Sequence, residues 1–175
     1  MMRLIIGLCF AACYASPALA DEIVDTRTVQ IAVDGTISQR CAMGSIPNMD
    51  FGDLNRGGLS ANARVAFDCN VPFTMNISGS GGALSHTTMP SGQGPYSGAL
   101  PYALGISMPV RHPSVRTLTR TFDSRELRGG GSFSSNGGIA TDGMTLSIQL
   151  AAPTGEAGLL AGNYVETITI TVSPM

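Results

Sequence analysis

The stretch from Tyr164 to Ser173 constrains the fold more than any other part of the chain, because it alternates strictly between two kinds of side chain. The even positions carry Tyr, Glu, Ile, Ile and Val, whereas the odd positions carry Val, Thr, Thr, Thr and Ser. A period of two made from β-branched residues is typical of a β-strand with one buried face. Gly162-Asn163 predicts a turn before this strand, and Pro174 predicts its end, so we expect no later strand along its far edge. Since an unpaired edge needs a partner or a protecting device, the pattern raises the question of what pairs with residues 164–173.

The first twenty residues have the pattern of a secretory signal peptide. Arg3 precedes an apolar run, residues 4–12, that is too short to cross a bilayer, and Ala18-Leu19-Ala20 is a typical cleavage site. We therefore expect residues 1–20 to be removed and the mature chain to be exported with Asp21 as its first residue. The small residues before Cys13 leave a lipidated cysteine as the alternative.

Removal of 20 residues from the 175-residue chain leaves 155, which is enough for one domain with a substantial core. The mature part contains no Lys, nine Arg and twelve acidic residues, so its net charge is about −3. This balance argues against nucleic acid or anionic lipid as a partner. Abundant Gly and β-branched residues, and the lack of a sustained helical period, predict an all-β fold.

Two cysteines, Cys41 and Cys69, remain after the signal peptide is removed. In an exported domain such a pair is expected to form a disulfide, which would contribute roughly 3–4 kcal/mol by constraining the unfolded chain. The alternatives are free thiols or half of a metal site, but no further His or Cys lies at ligand spacing. We therefore expect a disulfide and no bound metal.

The segment from Ile23 to Cys41 keeps one apolar face. Asp34-Gly35 is a turn dipeptide within it, which divides the segment into an N-terminal extension, residues 21–34, and a first domain strand, residues 36–42. A hairpin folded back inside its own domain is the alternative interpretation. The unbroken apolar phase favours a continuous extended segment that is free to bind elsewhere. The apolar residues at odd positions are Ile23, Val29, Ile31, Val33, Ile37 and Cys41.

Several further stretches have the alternation and the flanking turn residues of short strands, and together they predict a β-sandwich. Two stretches rich in Gly, Ser and Pro, residues 79–101 and 129–138, are predicted to be loops. The predicted strands are residues 63–69, 73–78, 101–106, 143–150 and, with a weaker pattern, 117–122.

Signals of enzymatic chemistry are absent from the sequence. It contains no Gly-x-Ser-x-Gly motif, no phosphate-binding glycine loop and no recognisable pair of catalytic carboxylates. The only histidines, His86 and His112, lie beside loop sequences and are expected to be exposed loop residues. We therefore expect no enzymatic activity and no cofactor.

Four features occur together in the mature chain: Cys41 followed by Asp50-Phe51-Gly52, the second cysteine at the end of residues 65–69, the Tyr102-Ala103-Leu104 strand, and residues 161–172. Together they resemble the spore coat protein U domain, the family of archaic chaperone–usher pilus subunits. Glu166 stands where members of that family often have Asp. The resemblance extends over nearly all of the mature chain, and its most specific part is the Gly-x-Tyr sequence followed by alternating Thr and Val.

The resemblance implies an immunoglobulin-like β-sandwich, residues 35–175, that lacks its final strand and is completed by a strand from a partner. The partners would be a periplasmic chaperone, an outer-membrane usher and other pilus subunits, which would join head to tail into a surface fimbria for adhesion and biofilm formation. A secreted matrix or carbohydrate-binding domain that completes its own fold is the alternative function. The inserted side chains would be Ile23, Val29, Ile31 and Val33, and the acceptor groove would include Ile37, Tyr164, Ile168, Ile170 and Val172.

Overall fold

The computed structural model describes residues 28–154 and 157–175, which form an almost entirely β structure with antiparallel sheets. This result confirms the predicted all-β class. The elements are β1 (Cys41–Met43), β2 (Ser60–Val65), β3 (Phe67–Cys69), β4 (Phe73–Gly79), β5 (Leu84–His86), β6 (Ala99–Leu100), β7 (Tyr102–Arg111), β8 (Val115–Asp123), α1 (Ser124–Gly129), β9 (Gly131–Ser134), β10 (Ile139–Ala140), β11 (Met144–Leu150), β12 (Tyr164–Val165) and β13 (Ile168–Pro174).

The chain divides into two compact units, Met1–Thr36 and Ile37–Met175. In the first unit the structure describes residues 28–36, which contain no helix or strand. All of the elements named above lie in the second unit.

The longest strand, β7, organises the largest sheet. Along one edge it pairs antiparallel with β8. Along the other edge it pairs antiparallel with β10, beyond which lie β3 and β1, and with β11, beyond which lies β2. Alternate residues of β7 from Tyr102 to Val110 are buried, while the residues between them are only partly buried. This alternation is what the pleat of a strand with one core-facing side produces.

Two three-stranded sheets complete the structure. In one of them β4 is central and pairs with β13 and β9, and in the other β5 is central and pairs with β12 and β6. Residues 166–167 separate β12 from β13, so the chain moves from one small sheet to the other at this point.

One hydrophobic core joins the large sheet to β4 and α1. The β4 side chains Phe73, Met75 and Ile77 are at most 1% exposed and belong to the same cluster as β7 and α1 residues such as Leu127. Phe67 packs edge-on against Phe73, with ring centroids 5.0 Å apart. Each fully buried side chain of this size contributes about 1.5–3 kcal/mol, so the core accounts for much of the stability.

The disulfide predicted between Cys41 and Cys69 is confirmed. The two residues are direct partners in the antiparallel pairing of β1 with β3. The bond closes a loop with a sequence separation of 28 residues.

The predicted first strand, residues 36–42, is wrong over most of its length, because β1 begins only at Cys41. The Asn70 side chain instead holds the residues before it: its amide donates to the Ser38 carbonyl at 2.9 Å, and its oxygen accepts from the Arg40 N–H at 2.8 Å. A side chain that satisfies backbone groups in this way replaces a strand neighbour. Ile37, on the predicted strand, is 89% exposed.

The two stretches predicted to be loops also contain regular secondary structure. The stretch 79–101 contains the short strands β5 and β6, and the stretch 129–138 contains the end of α1 and all of β9. The single predicted strand over residues 164–173 is divided into β12 and β13, although its even positions stay partly buried and its odd positions exposed on both sides of the break.

Candidate binding groove

The strand β13 lies at the edge of its sheet. It pairs with β4 over seven residues, and among the described strands it has no neighbour along its other edge. Ile168, Ile170 and Val172 are partly buried and pack against the core, whereas the threonines between them are exposed. An unpaired backbone edge thus runs beside a row of apolar side chains.

A groove with a volume of about 270 Å³ opens beside this row. Its floor is formed by apolar core residues of β7 and β11, among them Leu104 and Leu146, which are 1% and 3% exposed. Ile168 and Ile170 form one part of its wall, and the irregular chain between β1 and β2 forms another part. The groove is lined by Ile46, Pro47, Asn48, Met49, Phe51, Leu84, Tyr102, Leu104, Leu146, Ile148, Leu150, Glu166, Thr167, Ile168 and Ile170.

The Glu166 carboxylate joins the turn between β12 and β13 to the loop that follows β4. It accepts hydrogen bonds from the backbone N–H groups of Gly81 and Gly82, at distances between 3.0 and 3.2 Å. The Ser80 hydroxyl donates at 3.0 Å and the Tyr102 hydroxyl at 3.4 Å. Hydrogen bonds to a charged acceptor are stronger than neutral ones, so this network fixes the point where β13 begins.

Tyr102 lies between the core and this carboxylate and is 5% exposed. Its pKa is raised well above the usual value, first because burial disfavours the phenolate, then because the negative charge of Glu166 repels it and the hydrogen bond to Glu166 holds the proton. Tyr102 is therefore a neutral donor at one end of the groove over the physiological pH range.

A second buried contact lies between His86 and the turn before β12. The Nδ1 atom of His86 accepts hydrogen bonds from the backbone N–H groups of Thr88 and Met89, at 3.2 and 3.1 Å, so Nε2 carries the proton. Nε2 donates to the Ala161 carbonyl at 3.1 Å. His86 is 8% exposed, which corrects the expectation that it is an exposed loop residue, whereas His112 is exposed as expected.

Tyr164 packs edge-on against the His86 ring, with ring centroids 5.3 Å apart. Its hydroxyl donates to the Leu160 carbonyl at 2.7 Å, and the Ser97 carbonyl lies 3.0 Å away. Burial raises the pKa of Tyr164. These contacts form a corner between Tyr164, His86 and residues 160–161.

A second cavity, with a volume of about 570 Å³, lies next to this corner. Residues 49–55 and 159–165 line it, together with Leu84. Met49, Phe51 and Leu84 line the groove as well, so they lie between the two cavities.

The structure brings together only part of the predicted acceptor set. Ile168 and Ile170 line the groove, and Val172 packs against the core on the same face of β13 without lining the groove. Tyr164 lines the second cavity instead, and the exposed Ile37 lines neither cavity.

Of the predicted donor side chains, Val29, Ile31 and Val33 are 81%, 81% and 89% exposed. Ile23 lies outside the described residues. The donation of this segment to another subunit stays a prediction.

Sequence reasoning missed the wall formed by Met49 and Phe51 and the network around Glu166. The chain at Met49 and Phe51 is irregular, so alternation of apolar and polar residues gave no indication that these side chains line the groove. The phase of residues 164–173 did place Glu166 on the same face as Ile168, and this was the available indication that its charge needed buried partners.

Comparison of the chain with family models, with curated proteins and with solved structures finds no match. In the described part of the chain, no helix is long and apolar enough to span a membrane. The same residues contain no group of three or more His, Cys, Asp or Glu side chains placed to hold a metal ion.

Proposed function

We propose that this chain is a structural subunit of a surface fimbria, in which an incomplete immunoglobulin-like sandwich, residues 35–175, is completed by a strand from a partner. The observation that carries the proposal is the seven-residue edge of β13, which pairs only with β4 among the described strands and runs beside an apolar groove. An extended peptide that adds to such an edge gains backbone hydrogen bonds and places alternate side chains in the groove.

The distribution of charge along the edge strands supports this function. The outer strand β8 carries Arg116 and Arg120, and β2, which pairs only with β11, carries Arg64. Charged side chains are a common means of preventing an edge from pairing with another chain. Residues 167–175, which include β13, contain no charged residue, and the other uncharged edge strands, β1, β6, β9 and β12, have only two to four residues. The long edge that lies beside the groove therefore carries no charged side chain that would prevent another strand from pairing with it.

The N-terminal segment has the chemistry of a strand that could enter this groove. Val29, Ile31 and Val33 are β-branched, fall at alternate positions and are exposed, so they are available to a partner. Donation of this segment to the groove of the next subunit would join unlike surfaces and produce an open, head-to-tail fibre.

The proposed route follows from the signal peptide. The exported chain enters the periplasm, where a chaperone strand occupies the groove until an outer-membrane usher exchanges it for the N-terminal segment of the next subunit. The fibre on the cell surface then serves adhesion and biofilm formation. In this function the chain has no catalytic residue and needs no cofactor.

The test compares two charge substitutions on opposite faces of the N-terminal segment, Ile31→Asp and Gln30→Asp. The carboxylate introduced by Ile31→Asp would have to be buried in the groove of the neighbour, at a cost of about 3 kcal/mol or more, which weakens association roughly 100-fold or more. The carboxylate introduced by Gln30→Asp would remain exposed. We expect the purified wild-type chain and Gln30→Asp to form a ladder of oligomers in size-exclusion chromatography with light scattering, and Ile31→Asp to remain monomeric.

A wild-type chain that purifies as a cooperative, non-associating monomer would contradict the proposal. In that case the self-completed secreted domain becomes the better interpretation, and Ile31→Asp should then destabilise the monomer itself.

A further inference from the structure

The two cavities are separated by side chains from one irregular segment. Residues 45–58, which we call the cover segment, connect β1 to β2 without any helix or strand. Met49 and Phe51 of this segment line both the 270 Å³ groove and the 570 Å³ cavity. Leu84 of β5 also lines both, so outward movement of Met49 and Phe51 would join the cavities into one channel that passes Leu84.

The cover segment is held by few interactions. Its hydrogen bonds among the described residues stay within it: the Gly52 N–H donates to Asp50, and the N–H groups of Asn55 and Arg56 donate to Asp53. No backbone ladder therefore fastens it to a sheet.

The anchors to the sheets lie just outside the cover segment. The Gly44 N–H donates to the Ala66 carbonyl at 2.8 Å, and the Leu59 carbonyl accepts from Leu150 at 2.9 Å. Between these anchors, the contacts with the core come from partly buried apolar side chains. Those side chains are Met49, Phe51 and Leu54.

We propose that the cover segment is displaced when an extended strand enters along β13. Met49 and Phe51 then swing outward, and the incoming strand occupies a channel that runs from Ile170 past Glu166 to Leu159. The step costs little, because opening breaks a few partial side-chain contacts and leaves the sheets intact. This inference rests on the proposed function, since it describes how the same groove is opened.

The incoming strand suited to this channel is one with β-branched residues at alternate positions, as in residues 21–34. The experiment therefore uses a synthetic peptide of residues 21–34 as the probe and, as the acceptor, the full mature chain carrying Ile31→Asp, which remains monomeric because it cannot donate its own segment. The peptide contains no aromatic residue, Leu or Met, so chymotrypsin leaves it intact. Chymotrypsin cleavage after Phe51 then reports release of the cover segment, and hydrogen exchange at residues 168–172 reports strand binding.

Met49→Ala removes one contact of the cover segment while keeping the Phe51 cleavage site. We expect it to raise the rate of cleavage after Phe51 about tenfold, because cleavage follows the fraction of molecules with the segment open, and to speed peptide association by a similar factor. Leu118→Ala is the matched control, since Leu118 is also partly buried against the core but lies on β8, away from both cavities. It should change neither rate.

In this acceptor without further substitution, the peptide should protect residues 168–172 from exchange and increase cleavage after Phe51. Peptide binding that occurs only in Met49→Ala would also support the inference, because it would show that the intact cover segment blocks entry of the peptide. Protection of 168–172 without any increase in cleavage after Phe51 would overturn the inference and leave the proposed function standing. A peptide that protects these residues in neither protein would refute the proposed function, and the cover inference with it.

Discussion

The substitution Ile170→Asp tests the groove directly, because Ile170 belongs both to β13 and to the groove wall. A fully buried isoleucine contributes about 1.5–3 kcal/mol, and Ile170 is only partly buried in the free chain, so the variant should lose roughly 1 kcal/mol of folding stability. Once a strand fills the groove, the same carboxylate is enclosed without a partner. The added cost is several kcal/mol, and about 3 kcal/mol corresponds to roughly 100-fold weaker binding.

Thr171→Asp is the matched control, because Thr171 is exposed on the opposite face of the same strand. Urea denaturation gives the folding stability of both variants. Titration with a labelled peptide of residues 21–34 gives the affinity, and all chains carry Ile31→Asp so that they cannot donate their own segments. Thr171→Asp should bind like the wild type, whereas Ile170→Asp should keep a cooperative transition and lose binding. Equal peptide affinity for the two variants would show that the apolar face of β13 does not receive the incoming strand.

Three further outcomes are expected. Cys41→Ser should lower folding stability by roughly 3–4 kcal/mol, seen as a shift of the urea midpoint, and an unchanged midpoint would contradict the stabilising role of the disulfide. Because the pKa of Tyr102 is raised in the folded state, folding stability should fall as pH rises above about 10, where the unfolded chain loses the proton that the folded chain keeps. Tyr102→Phe should reduce this alkaline loss in urea titrations, and an identical pH profile would refute the assigned cause, burial beside Glu166. Gly162→Ala should destabilise the chain in thermal unfolding, because φ is +151° and an added Cβ would overlap the His86 ring; an unchanged midpoint would show that the turn can move away.

The sequence allowed the all-β class, the disulfide and the buried face of the last strand to be predicted. Each of these depends on local information: β-branched alternation, a count of cysteines and the phase of residues 164–173. The phase remained correct even across the break at residues 166–167, because the Glu166 carboxylate also points to the partly buried side.

Other features depend on contacts between distant parts of the chain. The strands β5, β6 and β9 have two to four residues, which is too short for periodicity to show. His86 is buried because the turn before β12, some 75 residues later, covers its ring. The predicted strand 36–42 failed because the Asn70 side chain bonds to residues 38–40 in place of a neighbouring strand.

The position of the disulfide has a mechanical consequence. Cys41 is the first residue of β1, and its partner Cys69 is the last residue of β3. Tension applied through the chain before residue 41 therefore reaches a covalent bond before it reaches any hydrogen bond of the three-residue β1. Pulling cannot peel β1 away from its N-terminal end, and the force passes directly to β3 in the large sheet. In a fibre whose subunits were joined through their N-terminal segments, this end of each subunit would be fixed covalently, and extension would first have to break the hydrogen bonds of the large sheet or the contacts in the groove.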